Sequence, residues 1–244
     1  MLSGEPREIH PGISAVLAVP HRTIGLDSVV LDLAAVLDGL VADNFEILVV
    51  EFGSGAGQGQ GATAQAAQPM ADLRAEMAAR APSVAVSVLP DVFVDRPSAL
   101  AAGFDGSRYD LLFVTTADGQ FNVCELNHLL EAIEHGADLA LGYRPARADG
   151  LLQRLDGWLR NIAVNVAYGR TARDLDCDFK LFRRVVWERL HPSPRPPRGR
   201  FNAELLVGAR RLGFTTQEVP VSHRRPREAA TTAASPGLPV SRAA

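Results

Sequence analysis

"LLFVTTADGQFN", residues 111–122, decides the fold. Leu111–Val114 is a short apolar run that stops at Thr115-Thr116-Ala117-Asp118-Gly119-Gln120. A run of that length, bounded by a small-residue turn, reads as a buried strand. Its end carries one carboxylate, Asp118, and one carboxamide, Gln120. Such a strand end can hold a metal ion or a phosphate. One carboxylate is thin for a divalent cation, and Thr116 stands where a second would sit.

Outward from this strand the chain alternates. Apolar runs at 13–20, 45–52, 83–90, 109–115 and 137–144 read as strands, and 177–184 and 215–223 as two more. Helical spacing covers 27–41, 70–80, 97–105, 123–135, 150–168 and 200–212. Residues 53–69 are a Gly/Gln/Ala stretch that reads as a loop, and 228–244 as a disordered tail. Strand–helix alternation predicts an α/β, Rossmann-like, mostly parallel sheet covered by helices. Ligands in such sheets sit at the strands' carboxyl ends. That places Pro20-His21-Arg22, Glu51-Phe52-Gly53-Ser54 and Thr116–Gln120 along one edge. No Walker A sequence is present, and no GxGxxG follows a strand, so neither phosphate fingerprint applies.

Bulk composition narrows the class. The 244 residues are 47% hydrophobic with a net charge of −3, which suits one soluble domain. No apolar run reaches membrane-spanning length, and the polar N-terminus has no hydrophobic signal region. The expectation is a cytoplasmic protein that visits the membrane's inner face at most peripherally. Cys124 and Cys177 lack metal spacing and read as buried thiols. Charge is uneven: residues 183–227 hold eleven arginines against three glutamates. Such a basic third suits phosphates or anionic lipid. Overall acidity, and the lack of aromatics interleaved with those arginines, argue against nucleic acid.

Six stretches then fall in a familiar order. They are "EILVVEFGSGAGQ", "TTADGQF", "ADLALGYRPARADG", "DLDCDFKLFRR", "FNAELLVGARRLGF" and "EVPVSHRRPRE". Over about residues 12–228 the chain resembles the GT-A glycosyltransferases of family 2, the dolichyl-phosphate-mannose-synthase-like type. The last three stretches are the specific ones. The resemblance implies one GT-A domain over 13–227, an N-terminal extension over 1–12, and the tail. It implies inverting transfer of a sugar from a nucleotide-diphosphate donor to an acceptor, often a polyprenyl phosphate, with Mg²⁺ or Mn²⁺.

Roles follow from the resemblance position by position. Pro20, Glu51, Gly53, Ser54, Thr116 and Asp118 fall on the donor side, and Asp118 and Gln120 on the metal. Arg144, Arg147, Lys180, Glu204, His223 and Arg227 fall on the acceptor side. Asp118, Asp176 and Arg144 carry the catalytic expectation. The departures are equally specific. His21-Arg22 replaces an Asn-Glu pair, Glu51-Phe52 replaces paired acids, and Thr116 replaces the first metal acid. Glu228-Ala229 stands where the family has a glycine.

The chemistry sorts the candidates further. A phosphate acceptor is already ionised and needs positioning rather than a base. Arg144, Arg147, Arg154, Arg224 and Arg227 are the positioning candidates. A hydroxyl acceptor needs a base, and Asp176 or Asp178 would supply it. Magnesium needs only one or two protein carboxylates beside phosphate oxygens. Three functions stay open: an active transferase, a degenerate relative that binds nucleotide as a partner subunit, or a non-enzymatic module whose Arg-rich third binds nucleic acid or anionic membrane.

Overall fold

Strand periodicity accounts for the architecture. In β1 (His10–Pro20) and β2 (Phe45–Phe52), successive side chains point to opposite faces of one sheet. Ile13, Ala15, Leu17, Val19, Ile47 and Val49 enter one core, and Val16, Ala18, Leu48 and Val50 the other. Both faces are therefore covered, as near-continuous apolar runs require. The computed structural model describes residues 10–20, 26–53, 75, 79, 86–89, 93–145, 172–190 and 201–224.

The sheet continues with β3 (Val86–Val88), β4 (Tyr109–Val114), β5 (Leu139–Tyr143), β6 (Lys180–Arg183) and β7 (Thr216–Pro220). Its order is β3-β2-β1-β4-β6-β5-β7. β6 runs antiparallel to β4 and β5, and every other pairing is parallel. The expected mostly parallel sheet is present, with one reversed strand inserted. Ser14 and Leu112 pair in register on β1 and β4, and Val16 with Val114, so β1 runs four residues past the end of β4, to Pro20.

Helices cover the faces unequally. α1 (Leu26–Val41) buries Val30, Leu33 and Leu37 in the first core. α3 (Leu126–Glu134) adds Leu129 and Ile133 on that side. α2 (Arg96–Gly106), α4 (Arg184–Leu190) and α5 (Phe201–Arg211) form the second. Phe104 is its hub, edge-on to Phe182 at 5.3 Å and to Trp187 at 5.1 Å. Asp95 caps α2 by accepting from Ser98 N at 2.9 Å, and Pro97 sits in the first turn, where its missing N–H is no loss.

α4 was not expected. Arg184-Val-Val-Trp continues an extended-looking run, and the helix is only two turns long. Tertiary contacts set it. Arg184 is buried, donating Nε to Tyr109 O at 2.8 Å and Nη2 to Ser107 Oγ at 2.9 Å. Trp187 Nε1 donates to Asp105 Oδ1 at 2.7 Å. One arginine of the basic third is thus structural. Cys177 is buried as expected, but Cys124 is exposed, because the 3₁₀ turn Val123–Glu125 turns it outward.

The amino edge is tied by buried Glu46. It accepts from Ser14 Oγ at 2.7 Å and from Arg108 Nε at 2.9 Å. At the opposite edge Gly142 lets β5 approach the segment before β6: a Cβ there would lie 2.7 Å from Phe179 O. Among the described residues no helix is long and apolar enough to cross a membrane. Of the helix expected over 70–80, only residues 75 and 79 are described, both helical. The one expected over 150–168 lies outside the described residues, as does the tail.

Candidate functional site

The carboxyl edge of the sheet gathers most of the residues singled out above. β1 ends at Pro20, β2 at Glu51-Phe52-Gly53, and β4 runs into Thr115–Gln120. Because β6 is reversed, the segment before it, 174–179, arrives at the same edge. β5 and β7 deliver Arg144 and Val221–Arg224 there. Ser54, Arg147, Arg154 and Arg227 lie outside the described residues, as do His21, Arg22 and Glu228.

At the ends of β1 and β2, Pro20 is exposed and Glu51 is buried. Gly53 has φ +83°, a left-handed turn that ends β2. It donates its N–H to Phe93 O at 2.9 Å, and Phe93 N donates to Glu51 O at 3.1 Å. Phe52, half-buried, packs with Leu89 and Phe93 on the second core. The end of β2 therefore presents Phe52 beside a buried Glu51 where the resembled family has paired acids.

The Asp118 turn is built by its own side chain. Asp118 Oδ1 accepts from Thr116 Oγ1 at 2.6 Å and from Gln120 N at 3.0 Å. Gly119, at φ +68°, permits the reversal. Asp118 is exposed, and Oδ2 has no hydrogen-bond donor among the described residues. Thr116 therefore orients the carboxylate that remains rather than adding a second charge. No group of three or more His, Cys, Asp or Glu suited to a metal occurs among the described residues. What fits is a hard cation holding most of its ligands from phosphate and water.

The segment after β7 lies along this turn. Phe121 and His223 form an antiparallel bridge, with rings edge-on at 5.2 Å. Arg224 N donates to Gln120 O at 2.8 Å, and Ser222 N to Glu125 Oε2 at 2.7 Å. Phe121 also meets Phe179 at 5.3 Å, which meets Phe113 at 5.0 Å. An aromatic ladder thus joins the Asp118 turn, the 174–179 segment and His223.

Arg144 makes its contact with protein. Its Nε donates to Asp174 Oδ2 at 2.7 Å and its Nη2 to Oδ1 at 3.0 Å. The side chains are 9% and 5% exposed, so this is a buried fork-on-carboxylate pair. Lys180 is fully buried, and its ammonium donates to the carbonyls of Cys177 and Leu175. Burial lowers its pKa. Lys180, expected on the acceptor side, is used here to fasten the loop before β6. Asp178 Oδ1 accepts from Arg96 Nη1 at 3.2 Å and Asn202 Nδ2 at 2.7 Å. Asp176 lies between these two anchored acids, half-exposed, and Glu204 lies in the first turn of α5.

Sequence reasoning missed Asp174, Arg96 and Asn202. Alternating acids at 174, 176 and 178 were visible, and Asn202 stood in a quoted motif. Arg96 gave no signal of its own. It follows a helix cap and meets Asp178 across 82 residues.

This mixed sheet with its polar carboxyl edge is the GT-A glycosyltransferase fold. No family model matches the chain. Over 212 residues it is 26% identical to the undecaprenyl-phosphate 4-deoxy-4-formamido-L-arabinose transferase of Edwardsiella ictaluri, covering 86% of this chain and 59% of that protein. Over 136 residues it is 33% identical to the polyprenol monophosphomannose synthase of Mycolicibacterium smegmatis, covering 51% of each. The chain thus spans 59% and 51% of the length of these two relatives. Among solved structures, glucosyl-3-phosphoglycerate synthase from Mycobacterium tuberculosis in complex with phosphoglyceric acid matches with a TM-score of 0.63 at 19% identity, over 88% of this chain and 72% of that one. The same synthase with Mn²⁺, uridine-diphosphate-glucose and phosphoglyceric acid gives 0.62. The resemblance to polyprenyl-phosphate glycosyltransferases of family 2 is therefore present in sequence, and the GT-A fold in structure.

Two outcomes follow from the buried groups. Arg144→Ala leaves Asp174 charged and buried, and unfolding in urea is expected to show a loss of about 3–5 kcal/mol. The paired change Arg144→Met with Asp174→Leu is expected to recover much of it. Burial pushes the Cys177 thiol from 9.0 up to about 12. Between those values the folded chain keeps a proton that the unfolded chain releases, so this group's stabilisation fades as pH rises. Wild type is expected to lose stability against Cys177→Ala across that window. A constant difference would contradict the burial.

Proposed function

We propose that this chain moves a sugar from a nucleotide-diphosphate donor to an acceptor, with inversion, and that the acceptor is a polyprenyl phosphate. The observation that carries the proposal is the Asp118 turn, packed through Phe121 and Phe179 against the 174–179 segment and bridged to His223. Both curated relatives are named for transfer to a polyprenyl carrier, and the structural neighbour was solved with a sugar nucleotide.

Pro20, Glu51, Gly53 and Ser54 would line the nucleoside, with Phe52 and Phe93 offering an apolar surface to the base. Asp118 and Gln120 would hold Mg²⁺ or Mn²⁺, assisted by the Thr116 hydroxyl. Such an ion supplies charge neutralisation for the departing diphosphate. A lipid phosphate needs no base, so the protein's task is to position it. Arg147, Arg224, Arg227 and His223 would do this. Arg144, Lys180 and Glu204 would act through the framework, the first two by fixing the loop that carries Asp176. Asp176 is the acid placed for a hydroxyl acceptor. Binding of the lipid would bring the chain to the inner face of a membrane as a peripheral cytoplasmic protein.

One observation favours a second reading. Asp118 Oδ1 already serves Thr116 and Gln120, which suits a degenerate relative that binds nucleotide without turnover. Calorimetric titration with UDP and GDP, with and without Mn²⁺, tests the first reading. Metal-dependent binding of one nucleotide is expected, weakened at least tenfold in Asp118→Asn, as loss of a charge-assisted ligand implies. Binding of neither nucleotide in either condition would refute it. Equal binding with and without metal would favour the degenerate relative.

A further inference from the structure

Two buried polar atoms flank Asp178 with nothing to bond. Asp178 Oδ1 takes Nη1 of Arg96 and Nδ2 of Asn202. The second guanidinium nitrogen, Arg96 Nη2, and the carboxamide oxygen, Asn202 Oδ1, are both buried. Neither has a hydrogen-bond partner among the described residues. The carboxylate fixes which way the amide faces, because only the nitrogen of Asn202 can donate to it. The orphaned atom is therefore an acceptor, beside an orphaned donor.

An unmet buried donor or acceptor carries the full cost of its lost hydration. Most such groups in folded proteins are paired, so two around one carboxylate call for an explanation. In the structure the two do not bond to each other while both hold Asp178. A group that both donates and accepts satisfies them together. Phosphate does not fit: it would suit Arg96, but it cannot donate to Asn202 at neutral pH and would face Asp178. Neighbouring hydroxyls do fit. One oxygen accepts from Arg96 Nη2, and a hydroxyl hydrogen goes to Asn202 Oδ1.

The cluster stands at the functional edge. Arg96 opens α2 directly after the 93–95 segment, which is hydrogen-bonded to Glu51 and Gly53 at the end of β2. Asn202 opens α5, and Asp178 precedes β6. Three elements thus converge between the end of β2 and Asp176. We propose that Arg96, Asn202 and Asp178 form a subsite that reads a vicinal diol of the nucleotide sugar, on its ribose or its sugar ring. This rests on the nucleotide-sugar reading above.

The test titrates wild type, Arg96→Lys and Asn202→Ala with UDP, 2′-deoxy-UDP and UDP-glucose, and in parallel with GDP, 2′-deoxy-GDP and GDP-mannose. Arg96→Lys keeps a positive charge beside Asp178 and removes the guanidinium fork, with it the second nitrogen. Both variants are expected to weaken diol binding about tenfold, the size of one lost hydrogen bond to a charged or buried group. A loss confined to the sugar nucleotide assigns the diol to the sugar. A loss shared with the plain diphosphate, and absent for its 2′-deoxy form, assigns it to ribose. Unchanged affinities for every ligand that wild type binds, or a lowered melting temperature with affinity intact, overturn the subsite and leave the nucleotide reading standing. A wild type that binds none of the six overturns both.

Discussion

The buried pair of Arg144 and Asp174 fixes the carboxyl edge of this sheet. Asp174 begins the segment that turns the chain back into β6, which runs antiparallel to β4 and β5. Without a firm start to that segment, Asp176 would lose the anchor on its amino-terminal side. A planar guanidinium on a carboxylate fixes orientation as well as distance, which a lysine in the same place would not. Lys180 finishes the fastening from below by holding two carbonyls of the same turn. Cys177 lies between these cations and the core, and burial keeps it a neutral thiol.

The edge is therefore stiff on one half and lightly charged on the other. On the loop half, two of three acids are spent on Arg144 and on Arg96 with Asn202. At the ends of β2 and β4, Phe52 beside a buried Glu51, and an exposed Asp118, stand where the resembled family has denser acids. A site with so little fixed negative charge gains most of a cation's ligands from the incoming diphosphate. Cation and nucleotide should then depend on one another for binding, a coupling that needs no conformational change.

Much of the frame was legible in the sequence. Strand–helix alternation gave the sheet, and the breaks at Pro20, Gly53 and Thr115 gave its carboxyl edge, because apolar period and turn residues are local signals. The resemblance was carried by the C-terminal stretches. What escaped was non-local. Arg144 was expected to face a ligand, and only the tertiary structure brings Asp174 beneath it. Lys180 looked like a charged contact, yet it is one of the most deeply buried side chains. The α4 helix depends on where Arg184 and Trp187 find partners, which no window along the chain contains. Arg96 became meaningful only when α2 packed against the segment before β6.

Transfer itself is the most direct measurement. Labelled sugar nucleotides would be incubated with the full chain, Mn²⁺ and a polyprenyl phosphate, and the organic phase counted for lipid-linked sugar. The account predicts label in the lipid phase from at least one donor, lost when Mn²⁺ is chelated. Nucleotide binding with no label transferred from any donor would contradict the proposed transferase and leave a protein that keeps the GT-A fold for binding alone.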